Sequence, residues 1–438
     1  MNNQGFKWGI FTARLPLLHM RIEWPDLFQG LVVSLSTGLA LVPLLIASFG
    51  LSFEEAIAIS MLHTMLATSH VIIFGEPFAS GWITPALPLV LAVVISDYEE
   101  PTDRFQMMTA LSLDFAILTF FLAVTGIGRK LTSLVPAALK AGIIFGAALS
   151  AFKRIFYDDV QNFTAMPLSF ILSIITCLII LYLPAFQKLK STSKIASAVS
   201  SIGLLPAFIV AGLVGVMSGE LTFDIKMGFL IPPVADLMEK VSPFSIGFPP
   251  VEYFLVGLPL AFITYLILFG DLITGATMIE NNQHHRPDDP IDVDLNRSHY
   301  AVSIRNFVMA LCAPFFPTQG VLWAGAQVLM IERWKQGREK MESLFSGISA
   351  FYYYGIPAVF FVLPVLTTLR PFMPIALMLT LLLTGIACSR LALNLATQNI
   401  DKAIMLIVAV LLAFYAPWLG LSVGVIACLL RAAIKARI

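Results

Sequence analysis

Long apolar runs, broken by short clusters of charge, proline or glycine, fill almost the whole of this chain and set its architecture before any single residue does. A bilayer core about 30 Å thick needs roughly 20 apolar residues per helix. On that measure the pattern predicts fourteen membrane segments, over residues 26 to 48, 53 to 74, 78 to 96, 105 to 125, 132 to 152, 166 to 187, 198 to 218, 252 to 279, 299 to 315, 318 to 332, 346 to 368, 373 to 394, 401 to 418 and 419 to 435. The longest polar interval between them runs only from Glu280 to His299. The predicted fold class is an all-α polytopic membrane protein.

Two segments lack an ordinary spanning pattern. The third opens with Glu76, Pro77, Gly81, Thr84, Pro85 and Pro88, and the tenth with Pro314, Pro317, Thr318, Gln319 and Gly320. Proline removes a backbone donor and glycine permits extended backbone. Each segment is therefore predicted to enter as extended chain and turn helical half-way, near Thr84 and near Val321. Irregular backbone at membrane depth persists only where it is buried in protein or lines a water-filled cavity. The two interruptions fall in the third segment of each seven, the pattern of two inverted repeats with a ligand site between them.

Composition agrees. Hydrophobic residues make up 58% of the chain and charged residues 12%, and the mean hydropathy is +0.86, so lipid is the solvent this sequence is written for. Formal net charge is zero. No basic stripe and no glycine-rich phosphate loop is present, which leaves nucleic-acid partners and nucleotide hydrolysis without support. Nor does any catalytic constellation stand out. The remaining driving force is an ion gradient or the substrate's own. Cys177, Cys312, Cys388 and Cys428 sit inside apolar runs without CxxC or histidine spacing, which reads as packing rather than metal or disulfide chemistry.

Charge distribution gives orientation. Threading the chain from a cytoplasmic N-terminal segment, residues 1 to 25, places Lys7, Arg14, Arg21, Arg129, Lys130, Lys188, Lys190, Lys194, Arg333, Lys335, Arg338, Lys340, Arg431, Lys435 and Arg437 inside. Only Arg104, Lys153, Arg154, Lys226, Lys240 and Arg370 fall outside, the positive-inside asymmetry. A bacterial cytoplasmic membrane with both termini inside is the expected location. The first 25 residues lack a signal-peptide pattern, and no cytoplasmic regulatory domain is expected after the last apolar run.

Within this frame Asp271 is the leading functional candidate, because a carboxylate deep in an apolar run is costly and such residues mark ion or substrate paths. Thr274 and Thr277 follow it within two turns and can complete an oxygen site for a coupling cation. A proton on Asp271 would serve equally. The bland alternative pairs Asp271 with Arg305, itself mid-run and in need of a partner. Ser80, Gly81 and Thr84 at the third segment, with Thr318, Gln319 and Gly320 at the tenth, offer short polar groups and bare backbone for a substrate, against a reading as helix caps. Trp82 and Trp323 occupy near-equivalent positions and can wall the site or stack on a planar ligand, or simply pack. Gln29 and Ser36 in segment 1 are weaker candidates. Asp114 and Lys140 have no motif. His63 and His70 share a helix face but lack a third metal ligand, so core positions are expected. The run from Asn281 to Asp294 reads as a solvated cytoplasmic loop.

At Gly270-Asp271-Leu272-Ile273-Thr274-Gly275, followed by a polar loop, Leu295-Asn296-Arg297-Ser298, Arg305-Asn306 and Ala313-Pro314 through Gln319-Gly320, the chain resembles the superfamily of the sulfate permeases and the uracil and xanthine permeases. Asp26-Leu27-Phe28-Gln29-Gly30-Leu31 with Pro43, and Val135-Pro136 leading to Gly142 and Gly146, extend the likeness to the first half. The resemblance implies seven plus seven inverted repeats. Its core domain would comprise residues 26 to 125 and 251 to 370, and its gate domain residues 126 to 250 and 371 to 438. It further implies an anion or nucleobase site between the two half-helix N-termini, a homodimer formed through the gate, and no cofactor beyond a coupling sodium ion or proton. Many sulfate permeases carry an arginine a few residues into the tenth segment, and nucleobase permeases a glutamate near its start. This chain reads Val321, Leu322, Trp323, Ala324 and Gly325 there and has neither. The expected function is ion-coupled or exchanging transport of a small inorganic anion or carboxylate, with a proton-coupled nucleobase permease or an anion channel as the other readings.

Overall fold

The structure, a computed structural model, describes residues 5–33, 38–193, 196, 199, 204–355 and 360–435. A short hairpin, β1 (Phe6–Trp8) and β2 (Phe11–Ala13), precedes the helices. The first half then runs α1 (Trp24–Val33), α2 (Val42–Phe49), α3 (Phe53–Ile72), α4 (Leu87–Asp97), α5 (Pro101–Thr125), α6 (Gly128–Leu134), α7 (Ala137–Lys153), α8 (Val160–Ala165), α9 (Pro167–Tyr182), α10 (Pro184–Thr192) and α11 (Leu205–Ser218). The second half runs α12 (Val234–Val241), α13 (Pro243–Ile246), α14 (Val251–Asn282), α15 (Leu295–Cys312), α16 (Ala324–Trp334), α17 (Leu344–Ser349), α18 (Leu363–Leu369), α19 (Met373–Leu395), α20 (Asn399–Phe414) and α21 (Pro417–Lys435).

Local chemistry sets many boundaries. A capping box starts α3, with Glu55 N donating to Ser52 Oγ at 3.2 Å and Ser52 N to the Glu55 carboxylate at 2.8 Å. Proline in the first turn opens α2, α4, α5, α9 and α19, where its missing N–H costs nothing. Pro136 separates α6 from α7 with a bend of 93°, and the chain turns 61° between α9 and α10 at Leu183–Pro184. The outward faces are apolar: Phe120, Phe121 and Val124 of α5 and Ile426, Leu429 and Leu430 of α21 are all exposed. Polar groups such as Ser112, Thr119, Arg305 and Gln319 lie inside. That inversion is what a hydrocarbon solvent selects, and the chain is an all-α polytopic membrane protein. Five helices among the described residues are long and apolar enough to cross a bilayer, and up to seven if each bent pair is one span.

Several expected segments are discontinuous. Residues 26 to 48 are not one helix: α1 is described to Val33, residues 34–37 lie outside the described ones, and a turn over 39–41 precedes α2, which begins at Val42 with Pro43 in its first turn. Segment 11 is also broken, into α17 with a wider helical turn at Ala350–Gly355, and then α18. Segment 10 becomes helical at Ala324, three residues later than Val321, whereas the third turns helical at Thr84 as its prolines imply. The opening of segment 7 and part of segment 11 lie outside the described residues.

The loop after α14 differs from a simple solvated one. Arg286 is fully buried, donating to the carbonyls of Trp334 at 2.9 Å, Met341 at 3.0 Å and Glu342 at 2.9 Å and pairing with Asp288 at 2.9 Å. That guanidinium holds the Asp288 carboxyl below its usual range. Asp289 accepts from Trp334 Nε1 and Leu344 N. The loop thus ties together the ends of α14, α16 and α17, because Arg286 collects the carbonyl of Trp334, left free at the C-terminus of α16, with those of Met341 and Glu342 in the chain that leads into α17. Close to it, Arg333 pairs with Asp26 and, at 3.8 Å, with Glu23, fastening α1 to the end of α16. The hairpin covers the end of α3, where Arg14 N donates to Ile72 O at 2.7 Å and Trp8 Nε1 to Ile73 O at 2.8 Å.

On the other side of the molecule α7 packs along α19 and α20. Gly142 lies where a Cβ would approach Val408 Cβ to 2.7 Å, and Gly146 where one would meet Leu412 at 3.0 Å. Small residues four apart let two helix backbones approach closely, as apolar solvents favour.

Candidate functional site

The chain before α4 and the chain before α16 run past each other as two antiparallel extended strands in the interior. Ile83 N donates to Pro317 O at 3.0 Å, Gly320 N to Gly81 O at 2.8 Å and Trp323 N to Ala79 O at 2.5 Å. Glycine is required at the crossing. A Cβ on Gly81 would sit 2.8 Å from Trp323 Cβ, and one on Gly320 would sit 2.7 Å from Gly81 O. Side chains then replace the ladder that two short strands cannot complete. Gln327 accepts from Ala79 N at 2.6 Å and donates to Pro77 O at 3.2 Å. Asn306 donates to Gln319 O at 3.0 Å, and Tyr352 donates its hydroxyl to Ser80 O.

Arg305 sits behind this crossing, fully buried. Its Nη1 donates to Ser80 Oγ at 2.8 Å and Gln319 Oε1 at 3.2 Å, and its Nη2 to Gly320 O at 2.7 Å. It makes no ion pair among the described residues, so the expected alternative of an Arg305–Asp271 pair is not what the structure contains. A hydroxyl, an amide and a backbone oxygen, rather than a carboxylate, take the Nη protons of the guanidinium, and its Nε is buried without a partner among the described residues.

In front of the crossing lies a cavity of about 380 Å³, between the two strand-to-helix junctions, α3, α14 and α19. Ser80, Gly81, Trp82, Thr84, Trp323 and Asp271 all line it. The Thr84 hydroxyl has only a long 3.4 Å contact to Trp82 O, and Asp271 makes no hydrogen bond or ion pair with a described residue. Asp271 is the single charged residue among the described lining residues. The helices that start at these junctions begin at the wall of the same space, where Thr84, Pro85, Trp323 and Ala324 line it. At the first junction Pro85 and Pro88 have no N–H, and Ala86 N and Leu87 N are bonded to Ile83 O and Thr84 O. The positive end of the dipole, rather than free donors, is therefore what that helix brings.

The other candidates are elsewhere. Thr318, Gln319 and Gly320 form the layer behind the wall: Thr318 donates to Phe315 O at 2.9 Å, Gln319 to His63 O at 3.1 Å, and the Gly320 carbonyl is taken by Ser80 and Arg305. Thr274 and Thr277 are exposed and off the cavity, with the Thr274 hydroxyl returned to Gly270 O at 2.8 Å. An oxygen set of Asp271, Thr274 and Thr277 is not brought together there: Thr274, one turn on from Asp271, gives its hydroxyl proton to Gly270 O and neither it nor Thr277 lines the cavity, and Thr277, six residues on, lies on a different face of the helix. Gln29 is half-buried on α1 and outside the cavity wall, and Ser36 lies outside the described residues. Asp114 is buried on α5 against Gly257, where a Cβ would come within 2.6 Å of its carboxylate, and Lys140 is half-buried on α7.

The cavity also contains residues that sequence reasoning passed over, Ser60 and Thr64 of α3, Tyr352, and Thr380 and Thr384 of α19, together with His63, which was expected only in the core. His63 Nε2 donates to Ala313 O at 2.7 Å. Polar residues recurring at three and four positions in an apolar helix mark one face, and that spacing in α3 and α19 is the signal that would have found them.

No family model matches the sequence, and no curated protein does. Solved structures do match in shape. The murine Solute Carrier 26 family member A9 anion transporter in its inward-facing state superposes with a TM-score of 0.59 at 14% identity, over 94% of this chain and 68% of that one. The transmembrane domain of a cyanobacterial bicarbonate transporter, BicA, gives 0.52 at 13% identity, over 91% of this chain and 96% of that one. A second SLC26A9 structure gives 0.53 at 14% identity, with this chain spanning 65% of its length. The chain therefore shares the fold of the SLC26-type membrane domain.

Proposed function

We propose that this protein is a secondary transporter of a small monovalent anion, a divergent member of the superfamily that contains the sulfate permeases and the SLC26 carriers. The observation that carries the reading is the crossing itself: two helix N-termini converge on one cavity, with an unpaired guanidinium directly behind the wall. Arg305 has no carboxylate in direct contact, the buried Glu76 acting on it only through space, so an anion in the cavity is favoured by the Arg305 field as well as by both helix dipoles. Arg305 would take the part of the tenth-segment arginine that the sequence lacks, acting from α15 through Ser80 rather than from the half-helix. One cation behind the wall and one carboxylate on it suit one monovalent anion accompanied by one cation. The solved neighbours are an anion transporter and a bicarbonate transporter by name, and bicarbonate and chloride are the first substrates to try.

In this reading the fourteen segments form seven plus seven inverted repeats, and segments 1 to 4 and 8 to 11 move as a core against a gate of segments 5 to 7 and 12 to 14. The substrate would sit between Thr84 and Ala324, and Asp271 would carry the coupling cation. Uptake into proteoliposomes, with labelled bicarbonate, chloride and sulfate beside uracil and xanthine, tests it. Saturable uptake of a monovalent anion is expected. Saturable uptake of a nucleobase with no anion uptake would favour the second reading, a proton-coupled nucleobase permease, which draws its support from Trp82 and Trp323 both facing the cavity. Anion current that does not saturate would instead identify a channel.

A further inference from the structure

A second cavity, a groove of about 550 Å³, lies at the other end of α4 from the first. Residues 92–97 of α4 and the opening turns of α14 form one side of it, and the ends of α7 and α20 with the start of α21 form the other. Each side is tied within itself. Tyr98 and Tyr253 meet edge to face with ring centres 4.7 Å apart, joining α4 to α14. The Lys153 ammonium stands 5.9 Å over the centre of the Phe414 ring, joining α7 to α20.

Depth and rim differ in character. Val93, Leu412 and Ala413 are buried along the groove, whereas Asp97, Lys153, Tyr415 and Trp418 stand at its rim. Charge beside amphipathic rings is what sits at the headgroup level of a bilayer. Leu255, Phe414 and Trp418 are exposed on outward apolar faces, so the groove opens sideways to lipid.

Three polar groups here are not used up by the protein. Asp97 makes no hydrogen bond or ion pair with a described residue. Lys153 pairs with Asp158 at 3.2 Å and keeps N–H groups to spare. Pro259, inside α14 and on the groove wall, has no N–H, so the Leu255 carbonyl one turn back lacks its helical donor. Backbone oxygen at membrane depth needs a partner from elsewhere. Asp97 adjoins Tyr98 and Leu255 follows two residues after Tyr253, so the ring contact brings both acceptors to neighbouring turns of the tied helices.

We propose that the groove binds one phospholipid with a primary-amine headgroup, a phosphatidylethanolamine. Its acyl chain lies along Val93, Leu412 and Ala413, Asp97 and the Leu255 carbonyl accept from the ammonium, and Lys153 donates to the phosphate. A choline headgroup has no N–H for either acceptor, and a glycerol headgroup brings no positive charge to Asp97. Binding itself does not depend on the transport reading, but its consequence does. The proposed function assigns α4 and α14 to the core and α7, α20 and α21 to the gate, so the lipid lies across the moving seam and favours the arrangement seen here.

Thermal unfolding of delipidated protein in detergent, titrated with phosphatidylethanolamine, phosphatidylcholine or phosphatidylglycerol of the same acyl chains, reads the site without a substrate. Native mass measurement counts the lipid retained. One phosphatidylethanolamine per chain should be kept, with a midpoint roughly fivefold below those of the other two lipids. Asp97→Asn, and Pro259→Ala, which restores the helical bond, should each bring that midpoint to the phosphatidylcholine value without lowering the lipid-free melting temperature. Val256→Trp, on the groove wall, should lose the retained lipid. A parent that prefers either other lipid or none, or an unchanged midpoint in both Asp97→Asn and Pro259→Ala, overturns the headgroup assignment. Parent-like retention by Val256→Trp, with lipid-free melting showing that it folds, overturns the groove as the site. Anion uptake does not enter these readouts, so the transport reading and the lipid site fail separately.

Discussion

Arg305 shows how a residue can matter to a site it does not line. Its guanidinium reaches Ser80 Oγ, Gln319 Oε1 and Gly320 O, and Ser80 is itself a wall residue. A charge at this depth acts through a medium of low dielectric and is felt across the wall. Replacing Arg305 with Gln should raise the half-saturating anion concentration by on the order of tenfold or more. Arg305→Lys keeps the charge but cannot serve three acceptors from one ammonium, so it should fall between the two. An Arg305→Gln protein that folds and saturates like the parent would remove the anion role from this residue. Thr84 is a smaller lever. Its hydroxyl is nearly free, and Thr84→Val should weaken anion affinity by roughly tenfold, about 1.4 kcal/mol, while the dependence on a cation gradient persists. Asp271→Asn should do the reverse and abolish accumulation against a gradient while substrate still binds. Uptake measured with sodium and pH gradients imposed separately distinguishes the two variants. Parent-like accumulation by Asp271→Asn under every gradient would show that Asp271 does not couple.

The two strand-to-helix segments are the elements that make the site, and their weak point is glycine. Adding a methyl group at Gly81 or Gly320 drives it into Trp323 or into the Gly81 carbonyl, and the strands must separate to admit it. Gly81→Ala and Gly320→Ala should each cost about 1–3 kcal/mol of stability and most of the transport, read by thermal unfolding beside uptake. Two alanine variants that melt and transport as the parent does would mean that the crossing is not a rigid platform. These interruptions were legible because proline and glycine act locally. Thr84 marks the helix start in the sequence and in the structure alike. The pairing was not legible: Ser80 and Gly320 stand 240 residues apart, and a carbonyl leaves no signature in sequence. Arg305 was likewise open to an assumed partner in Asp271, when its partners are a hydroxyl, a side-chain amide and a backbone carbonyl, neutral oxygens that no charge pattern marks. The turn over 39–41 before α2 was hidden because its own residues, Leu39, Ala40 and Leu41, are apolar, and hydrophobicity reports depth in the membrane but not continuity of a helix.

Over the whole molecule, apolar length and the spacing of its interruptions made the fold class readable, because a bilayer leaves few ways to satisfy a backbone. Which faces meet was beyond that pattern. The threonines of α19 show this, since nothing local assigns them to the wall opposite Asp271. Homodimerisation through the gate belongs to the same proposal; a native mass of twice 47.9 kDa in lipid would agree with it, and a monomeric mass would contradict it. The central claim is that anions cross the membrane by occupying the cavity between the two helix N-termini. A cysteine placed at Thr84, with Cys177, Cys312, Cys388 and Cys428 replaced by alanine, puts a single reactive group on that wall. Reaction with a small thiol reagent should be slowed by the transported anion at the concentration that half-saturates uptake, and complete reaction should stop uptake. Undiminished anion uptake by protein fully blocked at position 84 would contradict the account.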